Sequence, residues 1–282
     1  MLPLLLLFFA PDLSTQFAEL SRAAAGKVGV SATVIETGER ASFHGTQRFP
    51  MQSVYKLPIA MAAVNLVDAG KLESLDYMLP VTKADLVPPG LHSPIRDKYP
   101  EGTSLSLREL IRFALSESDG TASDVLLGLC GGPAMVTRYL RGIGVDGITI
   151  ATSEAEMARG PMVQYRNFAT PDGMIELLRA FHAGRGISPS RRDILEEMLA
   201  QSTPGPKRLK GLLPPGTRVA HKTGTSGTDG NLTRATNDVG IVTLPNGRHL
   251  AIAVFVSDST ASLDLREETI AKIARAAWDG LK

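Results

Sequence analysis

Cysteine is nearly absent from this chain. Among its 282 residues only Cys130 carries a thiol, so no internal disulfide can form. Cys130 lies in Val125-Leu126-Leu127-Gly128-Leu129-Cys130, where a small buried hydrophobe is expected rather than a reactive thiolate. Excess charge of either sign is missing too. The formal net charge is +1 and no dense Lys/Arg cluster appears, which argues against nucleic acid as a partner, because phosphate backbones are held by concentrated positive charge. The five histidines, His44, His92, His182, His221 and His249, show no His-x-x-x-His spacing and no adjoining Cys or carboxylate pattern. A metal hydrolase is therefore not expected, and neither a metal nor a cofactor is assigned. Long hydrophobic runs are also lacking. Leu2 to Ala10 is too short to span a bilayer and resembles the core of a secretory signal peptide, although no basic residue precedes it and no small-x-small cleavage site follows. Residues 1–12 are read as a signal-peptide remnant, with a retained hydrophobic segment as the alternative, and the expected location is periplasmic or secreted. No later segment is suited to stable membrane insertion.

What is present is ample apolar material: 43% hydrophobic residues in a chain long enough for one large domain or two interleaved lobes. After an amphipathic helix around Leu13 to Ala25, Val28 to Ile35 is rich in β-branched residues and partly alternates, which predicts a strand, with a second around Arg40 to Phe43. From Val54 to Leu199 the sequence shows no convincing strand. Helical patterns occur there instead, notably at Leu105 to Ser116, Ala122 to Leu129, Ala134 to Gly142 and Pro171 to His182. Strands return at Arg218 to Thr223, Val239 to Leu244 and His249 to Ser257, the last two joined by a turn containing Asn246-Gly247, and a helix runs from Asp264 to Leu281. The fold class is α/β (α+β): one antiparallel sheet built from both termini and flanked by helices, with an inserted all-helical lobe. The α/β lobe is assigned to residues 13–50 and 200–282, the helical lobe to 51–199, and the active site to the cleft between them.

Three short motifs carry chemistry. Ser53 and Lys56, in Met51-Gln52-Ser53-Val54-Tyr55-Lys56, are three residues apart at the start of an apolar helix, so the lysine amine can approach the serine hydroxyl and take its proton. Pro58 fits only near a helix start, which places that start within a residue or two of Ser53. Desolvation there disfavours an ammonium relative to the free amine, as a lysine base requires. Ser118-Asp119-Gly120 lies between two predicted helices, where a turn can aim a hydroxyl into a cleft. In His221-Lys222-Thr223-Gly224-Thr225-Ser226-Gly227, a strand end offers Lys222 and Thr223 to a carboxylate, while Gly224 permits close backbone approach and frees an N–H for an oxyanion. Each motif alone also has a structural explanation as a solvated face, a cap or a bulge.

With Ser-x-x-Lys, Ser-Asp-x and Lys-Thr-Gly in this order, the chain resembles the serine β-lactamases and penicillin-binding proteins. Within them it is similar to the class A branch of extended-spectrum β-lactamases, through the first motif segment, Val163-Gln164-Tyr165, Lys222 to Gly227 and Asn237-Asp238-Val239-Gly240. The resemblance implies a β-lactamase/transpeptidase-like fold, a monomer and a small-molecule β-lactam substrate. It also implies a loop glutamate in Thr152-Ser153-Glu154-Ala155-Glu156-Met157-Ala158 that activates the deacylating water. Glu154 takes that role over Glu156, because the family's carboxylate stands three residues before an apolar residue, here Met157.

By the same resemblance Ser53 is the nucleophile, with Lys56 or a Glu154-bound water as base. Ser118 relays a proton to the leaving nitrogen, the N–H groups of Ser53 and Thr225 hold the oxyanion, and Lys222, Thr223 and Arg208 hold the substrate carboxylate. Arg208, in Lys207-Arg208-Leu209-Lys210, is equally well read as a solvated surface charge, and His92 as a surface-loop residue rather than part of the cleft mouth. The family pattern is broken at Gly120, where an asparagine is usual, at Ala158, which lacks the water-holding amide, and at Thr152 and Asn167, where an arginine-aspartate pair usually clasps the loop. The rival readings are a cell-wall DD-peptidase and a non-hydrolytic β-lactam sensor.

Overall fold

The computed structural model describes residues 12–281; the apolar run Leu2 to Ala10 lies outside the described residues. In chain order the helices are α1 (Leu13–Ser21), α2 (Lys56–Asp68), α3 (Pro94–Lys98), α4 (Leu107–Ser116), α5 (Gly120–Leu129), α6 (Pro133–Gly142), α7 (Glu154–Met157), α8 (Pro171–His182), α9 (Pro189–Ala200) and α10 (Leu263–Gly280). The strands are β1 (Lys27–Val34), β2 (Arg40–Phe43), β3 (Phe49–Pro50), β4 (Met78–Thr82), β5 (Gly102–Ser106), β6 (Ile148–Thr149), β7 (Phe168–Ala169), β8 (Val219–Thr225), β9 (Thr228–Asp229), β10 (Leu232–Thr233), β11 (Thr236–Thr243) and β12 (His249–Ser257).

The main sheet has the order β2-β1-β12-β11-β8 and is antiparallel throughout, so both ends of the chain build it, as the sequence predicts. Its central strand shows why β12 reads as one continuous apolar run. Leu250, Ile252, Val254 and Val256 pack with Phe17 of α1 and with Ile270, Ile273 and Trp278 of α10, whereas Ala251, Ala253 and Phe255 join the core on the opposite face. A strand covered on both faces needs no polar alternation. α8 covers that second face along β1 and β12, and α9 packs on β8.

α2 is the central helix of the other core, buried on all sides and packed against α4, α5 and α6. Ser106 and Glu109 form a capping box that starts α4. The burial of Cys130 beside this core pushes its thiol up to about 12, consistent with a packing role. One expectation fails here. The middle section is not strand-free: β4 pairs with β5 over Met78↔Ser106 to Thr82↔Gly102, and β3, β7 and β6 form a small three-stranded sheet. These strands have two to five residues, and β4 contains Pro80, so periodicity had too little length to reveal them. The small sheet fixes both ends of the segment from Ile150 to Asn167, which carries Glu154.

Candidate active site

The chain leaves β3 and enters a 3-10 turn, Gln52–Tyr55, which runs directly into α2. Gln52 adopts φ +47, a left-handed conformation that costs a non-glycine residue of order 1 kcal/mol or more. Surrounding bonds hold it there. Asn237 Nδ2 donates to the carbonyls of Pro50 (2.8 Å) and Met51 (3.1 Å), and Gln52 Nε2 donates to Gln164 Oε1 at 2.6 Å. Gly224 of β8 lies so close that a Cβ would stand 2.3 Å from the Met51 carbonyl oxygen, so only glycine lets β8 press against the nucleophile turn. Ser53 emerges half-buried at the cleft, and Lys56, one turn on, is 2% exposed.

Two buried lysines converge on Ser118. Lys56 Nζ donates to the Ser118 carbonyl at 2.7 Å, and Lys222 Nζ donates to Ser118 Oγ at 2.9 Å and to the Thr223 carbonyl at 3.1 Å. Burial, and secondarily the nearby charge of Lys56, push the Lys222 ammonium well below the ordinary lysine range. Ser118 itself holds φ +61. The next residue explains how: buried Asp119 caps α5 through the Ala122 N–H (2.7 Å) and accepts from the Ile95 N–H (2.7 Å) and Ser93 Oγ (3.1 Å). Gly120 follows without a side chain, and a Cβ there would sit 3.2 Å from the His92 carbonyl and 3.6 Å from Glu154 Cγ.

Glu154 Oε1 stands 3.0 Å from Lys56 Nζ, an ion pair whose side chains are 9% and 2% exposed. The pair is off the hydrogen-bond line, so Oε1 has no aligned protein donor among the described residues. Its placement comes from below. Asp124 of α5 accepts from the backbone N–H groups of Glu154 (2.7 Å) and Ala155 (2.9 Å). Burial raises the Asp124 carboxyl to about 6 despite those two donors. Glu156 points elsewhere, accepting from the Ser153 N–H and Thr152 Oγ in a capping box that holds it below the usual carboxylate range. Where an arginine-aspartate clasp was missing, Asn167 substitutes. Fully buried, it accepts from the N–H groups of Ala151 (2.8 Å) and Thr152 (3.0 Å) and donates to the Thr152 carbonyl (2.8 Å).

These groups meet at a cleft of about 680 Å³ lined by Ser53, Lys56, Ser118, Glu154, Thr223 and Thr225, together with Gln52 and Gln164. His92 lies on this wall and is an exposed loop residue, as expected, with its Nε2 2.9 Å from the Glu117 carbonyl, so it is both a surface-loop residue and part of the cleft mouth. Lys222, Gly224 and Arg208 stand behind the wall. Arg208 is not a solvated charge: it is 4% exposed, its Nε paired with Glu267 (3.0 Å), Nη1 on the Asn237 carbonyl (3.0 Å) and Nη2 on Thr225 Oγ1 (2.8 Å). It reaches the cleft only through Thr225. Beneath it, Asp238 accepts from His221 Nδ1 at 2.8 Å and from the Leu209 N–H at 3.1 Å, fixing the Arg208 segment to β8.

A serine at the head of a buried helix, two lysines converging on a second serine, and a carboxylate held over the first lysine define a serine acyl-transfer hydrolase. Residues 12–281 match the Beta-lactamase enzyme family. Beta-lactamase VEB-1 of Pseudomonas aeruginosa is 36% identical over 270 residues, covering 95% of this chain and 90% of that protein. Among solved structures, a β-lactamase from Chitinophaga pinensis superposes with a TM-score of 0.93 at 45% identity, covering 96% of this chain and all of that one. A representative class A β-lactamase from Bacteroides cellulosilyticus gives 0.89 at 30% identity, covering 95% and 96%. The chain belongs to the β-lactamase enzyme family, in its class A branch.

Several positioning residues carry no motif of their own. Asp124 reads as one polar residue in an apolar helix, and Arg234, which lines the cleft and pairs with Asp229 at 3.2 Å, as one more turn cation. Gln164, Asn237 and Asp238 stood within segments that resemble the family, and that company was their only signal.

Proposed function

We propose that this chain hydrolyses the β-lactam ring of penicillins and cephalosporins through an acyl-enzyme on Ser53, and thereby confers resistance to them. Ser53 Oγ attacks the lactam carbonyl carbon and yields its proton to Lys56, or through a water to Glu154. The oxyanion is met by the N–H groups of Ser53 and Thr225, where one donor is typically worth about a hundredfold or more in rate. The ring C–N bond breaks and Ser118 passes its proton to the departing nitrogen, recovering one from the lysine side. Thr223 and Thr225 receive the substrate carboxylate, with Lys222 and Arg208 supplying positive charge from behind. Glu154 then takes a proton from water as that water attacks the ester, which frees Ser53.

The observation that carries this reading is Glu154, held beside Lys56 in the same cleft as Ser53, since a peptidase or sensor that stops at the acyl-enzyme needs no such base. Export, supported by the apolar Leu2 to Ala10, belongs to the same reading, as does action as a monomer. Among the described residues no helix is long and apolar enough to cross a membrane. The test follows intact-protein mass after mixing with benzylpenicillin, alongside absorbance of the lactam. Many turnovers with a transient adduct support hydrolysis. An adduct lasting hours with about one lactam consumed per protein supports the peptidase or sensor, and neither adduct nor turnover removes Ser53 as nucleophile.

A further inference from the structure

Far apart in sequence, Glu36, His182 and His249 meet where the turn after β1, the end of α8 and the start of β12 come together. One ligand atom from each lies within 4.8 Å of the others, and among the described residues no other group of His, Cys, Asp and Glu side chains is so arranged. The imidazoles of His182 and His249 are 4.5 Å apart between centroids and tilted by 47°. Glu36 is anchored to His249 twice, Oε1 at 2.6 Å from the ring Nδ1 and Oε2 accepting the backbone N–H at 2.9 Å. His182 Nδ1 is buried and has no hydrogen-bond partner. An unpaired buried ring nitrogen is costly, and a tilted imidazole pair beside a carboxylate is the donor set of borderline-soft divalent ions.

We propose that Glu36, His182 and His249 form a binding site for a divalent transition-metal ion, Zn²⁺ by preference, with water completing the coordination. Zinc–nitrogen bonds of about 2.0–2.1 Å require the trio to close inward. Glu36 and His249 are partly exposed, which leaves them room to turn. None of the three lines the Ser53 cleft, so the ion has no part in hydrolysis. It would join three separate elements of the α/β framework, and its effect would be on stability.

The experiment is calorimetric titration of the EDTA-dialysed full chain with ZnCl₂, with thermal unfolding measured with and without the ion. The expected result is one saturable equivalent and a raised Tm. Each of H182Q, H249Q and the surface substitution E36Q should weaken binding at least tenfold and remove the Tm shift, while benzylpenicillin turnover stays unchanged. Absence of binding, or one-equivalent binding that survives all three substitutions, overturns the site. Because E36Q alters an exposed side chain, its loss of binding cannot be attributed to misfolding.

Discussion

Replacing Glu154 by Gln keeps the side-chain shape and removes one buried charge. At 3.0 Å, with an effective dielectric of about 20, the attraction to Lys56 is roughly 5 kcal/mol before desolvation is subtracted, and breaking a buried pair typically costs about 3–5 kcal/mol. The glutamine oxygen still offers Lys56 a neutral acceptor, so the expected loss of stability is near the lower end, about 3 kcal/mol. The kinetic loss is separate. A positioned general base contributes about 10²- to 10⁴-fold, so deacylation should slow by that factor, about 3–5 kcal/mol in the barrier. Rapid mixing with benzylpenicillin should give a burst of one turnover followed by slow release, and the mass of the intact drug should appear on nearly all protein molecules. The burst rate separates the two candidate bases: an unchanged burst assigns acylation to Lys56, and a slowed one assigns it to the Glu154-bound water. Steady-state turnover close to that of the unaltered enzyme would refute the role given to Glu154.

The same framework yields further expectations. Asp124, near 3.8 unfolded and about 6 folded, holds its proton longer in the folded state, so rising pH between those values lowers stability by up to about 3 kcal/mol at ~1.4 kcal/mol per unit. Denaturant unfolding of D124N should lack that decline, and parallel pH profiles for the two proteins would contradict the assignment. Asn167→Asp retains the two acceptor bonds but turns a carboxylate oxygen toward the Thr152 carbonyl. A loss of roughly 2–3 kcal/mol and slowed deacylation are expected, and an unchanged Tm with normal turnover would remove the clasp. Arg208→Ala strands Glu267 in the interior and should cost about 3–5 kcal/mol, with a KM increase of about tenfold or more read on the folded fraction. A KM that does not move would separate Arg208 from the carboxylate.

The main sheet and the long helices were legible because their signals are local. The ranges predicted for β2, β12 and α8 coincide with those observed, and α10 differs by one residue at each end. Ser53 with Lys56, Ser118 and Lys222 were legible for a different reason: each stands in a short motif of fixed spacing, and short spacing survives in sequence. β4 and β5 were not, since nineteen residues separate two five-residue strands and neither alternates strongly. Arg208 shows the limit most plainly. Its flanking lysines announce a solvated face, yet the residue turns inward, because Glu267 on α10 supplies a buried counter-charge and two strands offer carbonyls. No local reading contains Glu267, which lies 59 residues away.

The same distinction separates the residues that react from those that hold them. Ser53 and Lys56 are set by Asn237 and Gly224, and Glu154 by Asp124 and Asn167, each acting across a long sequence gap through one or a few polar contacts or a close backbone approach, while Ser118 is held by its neighbour Asp119, which is tied in turn to Ile95. The departures from the family pattern fall among these holding and lining positions, while the reacting groups follow it. Asn167 replaces a charged clasp by three neutral hydrogen bonds, which need no buried counter-ion at Thr152. Gly120 removes a side chain from a place where a Cβ would crowd the His92 carbonyl and stand 3.6 Å from Glu154 Cγ. A substrate amide entering there meets no asparagine at that position. Selectivity among β-lactams is therefore expected to rest on the opposite wall, where Thr223, Thr225 and Arg234 face the cleft.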